Sequence, residues 1–192
     1  SWLPEDSHTN YDLYDIEALY TCSYFDPDGV AVGEYGTVIL RYSGNWQHKD
    51  ILSTDKLHDV YLAGFSGQMF VAGEWGRIWK TSNYGDNWYL KHENTGYHLY
   101  AIDFGSSQIG YAAGMSGAVL KTTDDGETWF DISPGGMYSF RSIDFRYGRG
   151  CVVGLDGCIF RTTDGGETWI EILPKVTNET LNKVKFVDEN RG

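Results

Sequence analysis

Along this chain apolar and polar residues alternate in short runs, each closed off by glycine, aspartate, asparagine or serine. An alternation of this kind, with no stretch long enough to sustain a helical spacing, predicts β-strands. The residues at 118–122 (AVLKT) and 158–162 (CIFRT) read as one kind of strand, and those at 100–104 and 140–145 as a second. YAAG and CVVG form a third kind, and FDIS and WIEIL a fourth. Four antiparallel strands per unit follow, joined by polar turns.

The units repeat. The most legible copies are AGMSGAVLKTTDDGETW at 113–129 and VGLDGCIFRTTDGGETW at 153–169. Gly-x-x-Gly pairs open at Gly33, Gly73, Gly114 and Gly154, which are 40, 41 and 40 residues apart, and Trp46, Trp88, Trp129 and Trp169 follow at spacings of 42, 41 and 40. A period near forty with four short strands is the signature of propeller blades, because one such sheet cannot bury both faces and must stack on its neighbours. The expected fold is therefore all-β, a β-propeller of four-stranded antiparallel blades. Blade units fall at about 11–50, 51–92, 93–133 and 134–173 of a single domain, with a partial unit at 174–192. Trp2 reads as the close of a preceding unit and KFVDENRG as the start of a following one, so a piece of a larger ring is expected.

Composition narrows the function. Aromatic residues make up 16% of the chain, which suits flat contacts between stacked sheets. A net charge of -12 argues against a nucleic-acid partner, since phosphate binding needs clustered Lys and Arg. No run is apolar enough to span a bilayer, although a membrane-protein partner stays open. Cys22, Cys151 and Cys158 have neither disulfide-framework nor zinc-site spacing. If Gly154 faces Gly157, Cys151 and Cys158 share one face of a hairpin, diagonally offset by a step. No cofactor or metal is expected. Asn178-Glu179-Thr180 matches a glycosylation acceptor of the eukaryotic secretory pathway.

A recurring octet follows the third strand: Thr122, Asp124, Gly126, Thr128 and Trp129, and again Thr162, Asp164, Gly166, Thr168 and Trp169. Its acid suits backbone N–H groups within the turn, its glycine a positive φ, and its tryptophan packing on the sheet. The copy at Thr81 keeps Gly85 and Trp88 and carries Asn83, which can still accept; the copy at Tyr42–Trp46 is shortened and has no acid. Side chains repeated in every unit read as architectural rather than as calcium ligands or catalytic carboxylates.

These residues resemble BNR/Asp-box repeats, and the fuller pattern around Phe-x-Asp, Gly-Tyr-Ala-x-Gly and Lys-Thr-Thr-Asp-x-Gly-x-Thr-Trp is similar to the photosystem II stability/assembly factor-like propeller family. The resemblance implies a propeller, often seven-bladed, acting as a non-enzymatic protein-interaction or assembly scaffold outside the cytoplasm. Protein partners are expected. Sialidases share the Asp box, which keeps a glycan-binding or glycoside-hydrolase propeller as one alternative; a structural spacer in a large secreted or surface protein is another.

The Gly-x-x-Gly tips and the Asp boxes sit at opposite ends of the same strands. The tips carry Glu34 and Tyr35, Glu74 and Trp75, Met115 and Ser116, Leu155 and Asp156, which vary while their framing glycines do not. Variable tips on a constant frame suit recognition, and Glu34, Tyr35, Glu74 and Trp75 read as an acidic, aromatic patch. The connectors at 92–98, 133–139 and 174–182 emerge at the same end.

Overall fold

The computed structural model describes residues 6–7, 9–18, 27–63 and 67–186. Trp2, Cys22, Arg191 and the expected further repeat beyond residue 186 lie outside the described residues. Four separate four-stranded sheets form, each with its strands in sequence order. The first holds β1 (Leu13–Ala18), β2 (Gly29–Gly33), β3 (Thr37–Tyr42) and β4 (Asn45–Asp50). The second holds β5 (Leu57–Leu62), β6 (Met69–Gly73), β7 (Ile78–Thr81) and β8 (Tyr89–His92). The third holds β9 (Leu99–Phe104), β10 (Gly110–Gly114), β11 (Val119–Thr122) and β12 (Phe130–Asp131). The fourth holds β13 (Phe140–Arg146), β14 (Arg149–Gly154), β15 (Ile159–Thr162) and β16 (Ile170–Glu171). Every pairing is antiparallel.

The chain divides into two compact units, residues up to Glu74 with Ile78–Leu90, and Trp75–Arg77 with the residues from Lys91 onward. In the first unit, Val30, Val32, Val38 and Leu40 of the first sheet meet Val60, Leu62, Met69 and Val71 of the second. In the second unit, Ala101, Tyr111, Ala113 and Val119 meet Phe140, Ile143, Phe145, Val152 and Phe160. Tyr111 lies flat on Phe145, ring centroids 3.4 Å apart. Burial of each such large side chain contributes roughly 1.5–3 kcal/mol. The second strands of the first three sheets, GVAVG, MFVAG and GYAAG, are buried throughout.

Stacked sheets share no backbone ladder, and side chains of the first strands bridge them instead. In the first unit Asp15 Oδ2 accepts from Val60 N–H at 3.1 Å and Glu17 from Leu62 N–H. In the second, Asp103 Oδ2 accepts from Phe145 N–H at 3.2 Å. Ser142 Oγ accepts from Val184 N–H at 3.2 Å and Asp144 from Phe186 N–H, so residues 184 and 186 dock on β13 in the same way. Lys185 Nζ lies 2.8 Å from Asp144 and 3.6 Å from Asp103, offsetting the charge of two mostly buried carboxylates.

The outer strands differ from expectation. FDIS and WIEIL yield only two ladder residues each, whereas β4 runs for six. Ser43 and Gly44 both take positive φ, 48° and 89°, giving a two-residue hairpin whose twist matches the strands and keeps them paired. The longer Asp-box turn lets the outer strand peel away sooner. The register of β14 on β15 also corrects the cysteine geometry. Val153 opposes Ile159 and Cys151 opposes Arg161, so Cys158 falls opposite Gly154, three residues along from Cys151 and on the other face. A one-residue shift exchanges the faces, and both cysteines are free thiols.

The framing glycines are fixed by close approach. A Cβ on Gly114 would lie 1.9 Å from the His98 carbonyl oxygen, and one on Gly157, at φ +65°, would lie 1.9 Å from that of Thr177. Gly157→Ala is therefore expected to cost at least about 2 kcal/mol, since a left-handed L-residue alone costs roughly 1–2 kcal/mol. Gly148→Ala, at φ +77° but with its nearest atom 4.0 Å away, should cost only about 1 kcal/mol. Urea denaturation of both variants measures the difference, and equal losses would contradict the clamp.

Candidate functional site

Each sheet ends in a three-residue tip between its second and third strands: Glu34–Gly36, Glu74–Gly76, Met115–Gly117 and Leu155–Gly157. The middle residues Tyr35, Trp75, Ser116 and Asp156 all take left-handed φ, 53°, 59°, 58° and 54°. That conformation is uncommon outside glycine and persists only where the surroundings impose it. A backbone bond imposes it here. The first tip N–H donates to the carbonyl just before the same sheet's first strand, Glu34 to Asp12, Glu74 to Lys56, Met115 to His98 and Leu155 to Ser139, at 2.9–3.0 Å. The side chains of Tyr35, Trp75, Met115, Ser116 and Asp156 are exposed at the sheet ends, and Glu34, Glu74 and Leu155 are half-buried.

In the first unit the tip acids are not free. Glu34 pairs with Lys56 Nζ at 3.0 Å and accepts the Tyr14 hydroxyl at 3.0 Å. These bonds hold the Glu34 carboxyl below the usual carboxylate range and push the Lys56 ammonium up. Glu74 accepts the backbone N–H of Lys56 at 3.2 Å. Lysine 56 therefore organises both glutamates, and the tyrosines beside it set the surface: Tyr35 packs on Tyr11 and Tyr14 on His58. Sequence reasoning missed Tyr11, Tyr14 and Lys56, which lie just before or within first strands and carry no motif of their own.

In the second unit Trp75 stands edge-on to His98, centroids 5.3 Å apart, and its backbone N–H donates to His98 Nδ1 at 3.0 Å. Nδ1 is thus the acceptor nitrogen, and the imidazole holds the tryptophan tip in place. The connector at 92–98 also donates Asn94 N–H to the Trp75 carbonyl. Arg141 lies 4.3 Å over the Tyr100 ring, and Lys175 Nζ reaches the Asp156 carbonyl at 3.0 Å. The connectors and tips expected at one end of the sheets therefore meet there.

The opposite end holds the octets. Asp124 Oδ1 accepts Thr122 Oγ1 at 2.8 Å and Thr128 N–H at 2.9 Å, and Asp164 repeats the arrangement with Thr162 at 2.7 Å and Thr168 at 2.9 Å. Asn83 accepts from Thr81 and Asn87 in the same geometry. Gly126 and Gly166 take φ of 75° and 89° and donate N–H to the threonines that open their turns. Trp129 and Trp169 stand edge-on to Phe104 and Phe145, and their indole N–H groups bond to Gly126 and Ile132 carbonyls. Trp88 packs on the first core, but its indole N–H is buried without a partner. Each of these acids accepts three hydrogen bonds from the threonines of its own turn.

A groove of about 570 Å³ runs along the outer face of the first sheet between Ile16, Ile39, Arg41 and Trp46. It is in register with the face of the second sheet that packs on the first, which makes it a sheet-packing surface. Among the described residues no group of three or more His, Cys, Asp or Glu could hold a metal ion, and no helix is long and apolar enough to cross a membrane.

A family model described as Photosynthesis system II assembly factor YCF48 matches residues 83–181. Among solved structures, an ancestral GH74 enzyme superposes with TM-score 0.70 at 16% identity, covering 89% of this chain and 25% of that one. YCF48 bound to D1 peptide gives 0.65 at 18%, covering 89% and 56%. The WD40 β-propeller domain of Doa1 gives 0.68 at 13%, covering 89% and 57%. The four sheets are thus blades of a β-propeller, and the chain spans from a quarter to somewhat over half of these structures' length. No curated protein matches the chain.

Inward bonding by Thr128 and Thr122 holds the Asp124 carboxyl down at about 2. An ordinary aspartate titrates near about 3.9, so this group's stabilisation is complete above that pH and lost as pH falls toward about 2. Asp124→Asn should melt below the native protein at neutral pH and converge with it under acid. Thermal melts across that range decide, and a gap independent of pH would contradict the assignment.

Proposed function

Since the chain belongs to the Photosynthesis system II assembly factor YCF48 family, we propose that it is a non-enzymatic propeller that binds partner proteins during assembly, outside the cytoplasm, through its tip end. The observation that carries this reading is the contrast between the two ends of the sheets. At the Asp-box end polar side chains are consumed by their own turns, whereas at the tip end bulky, variable residues are held outward in a conformation they would not choose alone. Pre-organised exposed aromatics of this kind lower the entropic cost of association. That a similar structure is YCF48 bound to D1 peptide supports a protein partner. The likeness to a GH74 enzyme concerns the fold alone.

A photo-crosslinking amino acid placed at position 35 should capture a partner in native extract, while one placed at Thr128 should capture none. Partner capture from Thr128 alone would overturn the reading. Tyr35→Ala should leave the melting temperature within about 2 °C, because an exposed surface change is usually worth under about 0.5 kcal/mol.

A further inference from the structure

We infer that the tip carrying Trp75 is a pH-sensitive latch, closed while the His98 imidazole is neutral and opened on one side when it takes up a proton. The connector at 92–98 grips this tip with two histidines. His98 Nδ1 receives the backbone N–H of Trp75 at 3.0 Å, and His92 Nδ1 lies 2.8 Å from the carbonyl oxygen of Gly76, the next residue along the tip. The two bonds make opposite demands on their rings. A backbone N–H only donates, so His98 Nδ1 carries a lone pair; a carbonyl only accepts, so His92 Nδ1 carries a hydrogen.

Both nitrogens of an imidazolium carry hydrogens. Protonation therefore spares the bond from His92 to Gly76 and abolishes the one from Trp75 to His98, where two N–H groups would face each other. Histidine is the side chain whose charge changes between about pH 5 and 8, so mild acid is the trigger. Trp75 is poised to respond. Its backbone sits at φ 59°, a conformation that a bulky residue keeps only under constraint. Its indole is 43% exposed and stands edge-on to His98, so one imidazole holds both ring and backbone. The rest of the tip stays anchored. Asn94 N–H reaches the Trp75 carbonyl at 2.9 Å, and a Cβ on Gly76 would lie 2.8 Å from both the Asn94 carbonyl oxygen and the Tyr97 ring. Tyr97 in turn stacks on His92, planes inclined by 23°.

The charges on the surrounding elements are mostly occupied. Arg77 is paired with Glu93 at 2.7 Å and Lys91 with Glu127 at 2.6 Å. Arg141 lies over the Tyr100 ring, and burial together with the charge of Asp131 pushes the Tyr97 hydroxyl toward its neutral form. The neighbouring tip residues Met115 and Ser116 are uncharged. Glu74, one residue before Trp75, accepts only a backbone N–H among the described residues, and a carboxylate without a cationic partner favours an imidazolium nearby. On the reading that the tip end binds protein, the Trp75 surface offered to a partner then differs between neutral and mildly acidic conditions.

NMR on the whole chain, labelled with 15N, tests the latch without any partner. Between about pH 8 and 5 the Trp75 backbone amide should shift upfield with the same midpoint as the His98 ring, while the Asn94 amide moves less. His98→Gln, which keeps an acceptor and does not titrate, should flatten the Trp75 curve; His92→Gln should leave it unchanged. A Trp75 amide that stays in place while His98 charges, a His98 ring that stays neutral throughout, or a curve that persists in His98→Gln overturns the assignment. Loss of the curve in His92→Gln overturns it as well, because the two histidines would then act as one. Failure of position 35 to capture a partner would refute protein binding at the tip end and leave the latch standing.

Discussion

Sheets that stack as blades have no ladder between them, and every first strand leaves alternate N–H groups facing away from its own sheet. Side-chain acceptors take up those donors. Asp15 and Glu17 reach Val60 and Leu62, and Asp103 reaches Phe145. Acceptors two positions apart fit because strand side chains repeat every second residue. A half-buried N–H left without such a partner costs on the order of 1–3 kcal/mol, comparable to a large core side chain. Within each unit the two sheets are thereby set in register before hydrophobic contact is counted.

Much of the chain's acidity is consumed in this way. Asp15, Glu17, Asp103 and Asp144 tie sheets together, Asp124 and Asp164 close turns, and Glu34 and Glu74 are bound around Lys56. Beside the exposed Asp156 and Ser116, the tips and the residues around them present Tyr11, Tyr14 and Tyr35 in the first unit and Trp75 and Met115 in the second.

The repeat was legible because its markers are residues with no substitute. Glycine is needed where connectors press against the tip, and Asn83 could be placed in the acid's role because only its acceptor oxygen matters. Asp103 and Asp144 were equally periodic, each within an Ile-Asp-Phe triplet, but a polar residue inside an alternating strand reads as solvent-facing, and only the stacked neighbour reveals its bond. Likewise Lys56 and His98 act through residues far along the chain, Glu34 and Trp75, which spacing cannot pair. The hairpin register was misjudged because a three-residue tip, rather than a two-residue turn, moves Cys158 by one position. The Asp-box outer strands were over-extended because apolar residues such as Ile170 and Leu173 look like strand interior, yet they are exposed.

Amide hydrogen exchange on native protein and Asp103→Ala tests the bridging most directly. Phe145 N–H has Asp103 as its acceptor across the sheet boundary, so its exchange should be slow in the native protein and accelerate by at least about tenfold in the variant, the equivalent of about 1.4 kcal/mol, while Val152 in the middle of the same sheet keeps its protection. Equal protection of Phe145 in both proteins would contradict the account, because the blade would then be held by packing alone.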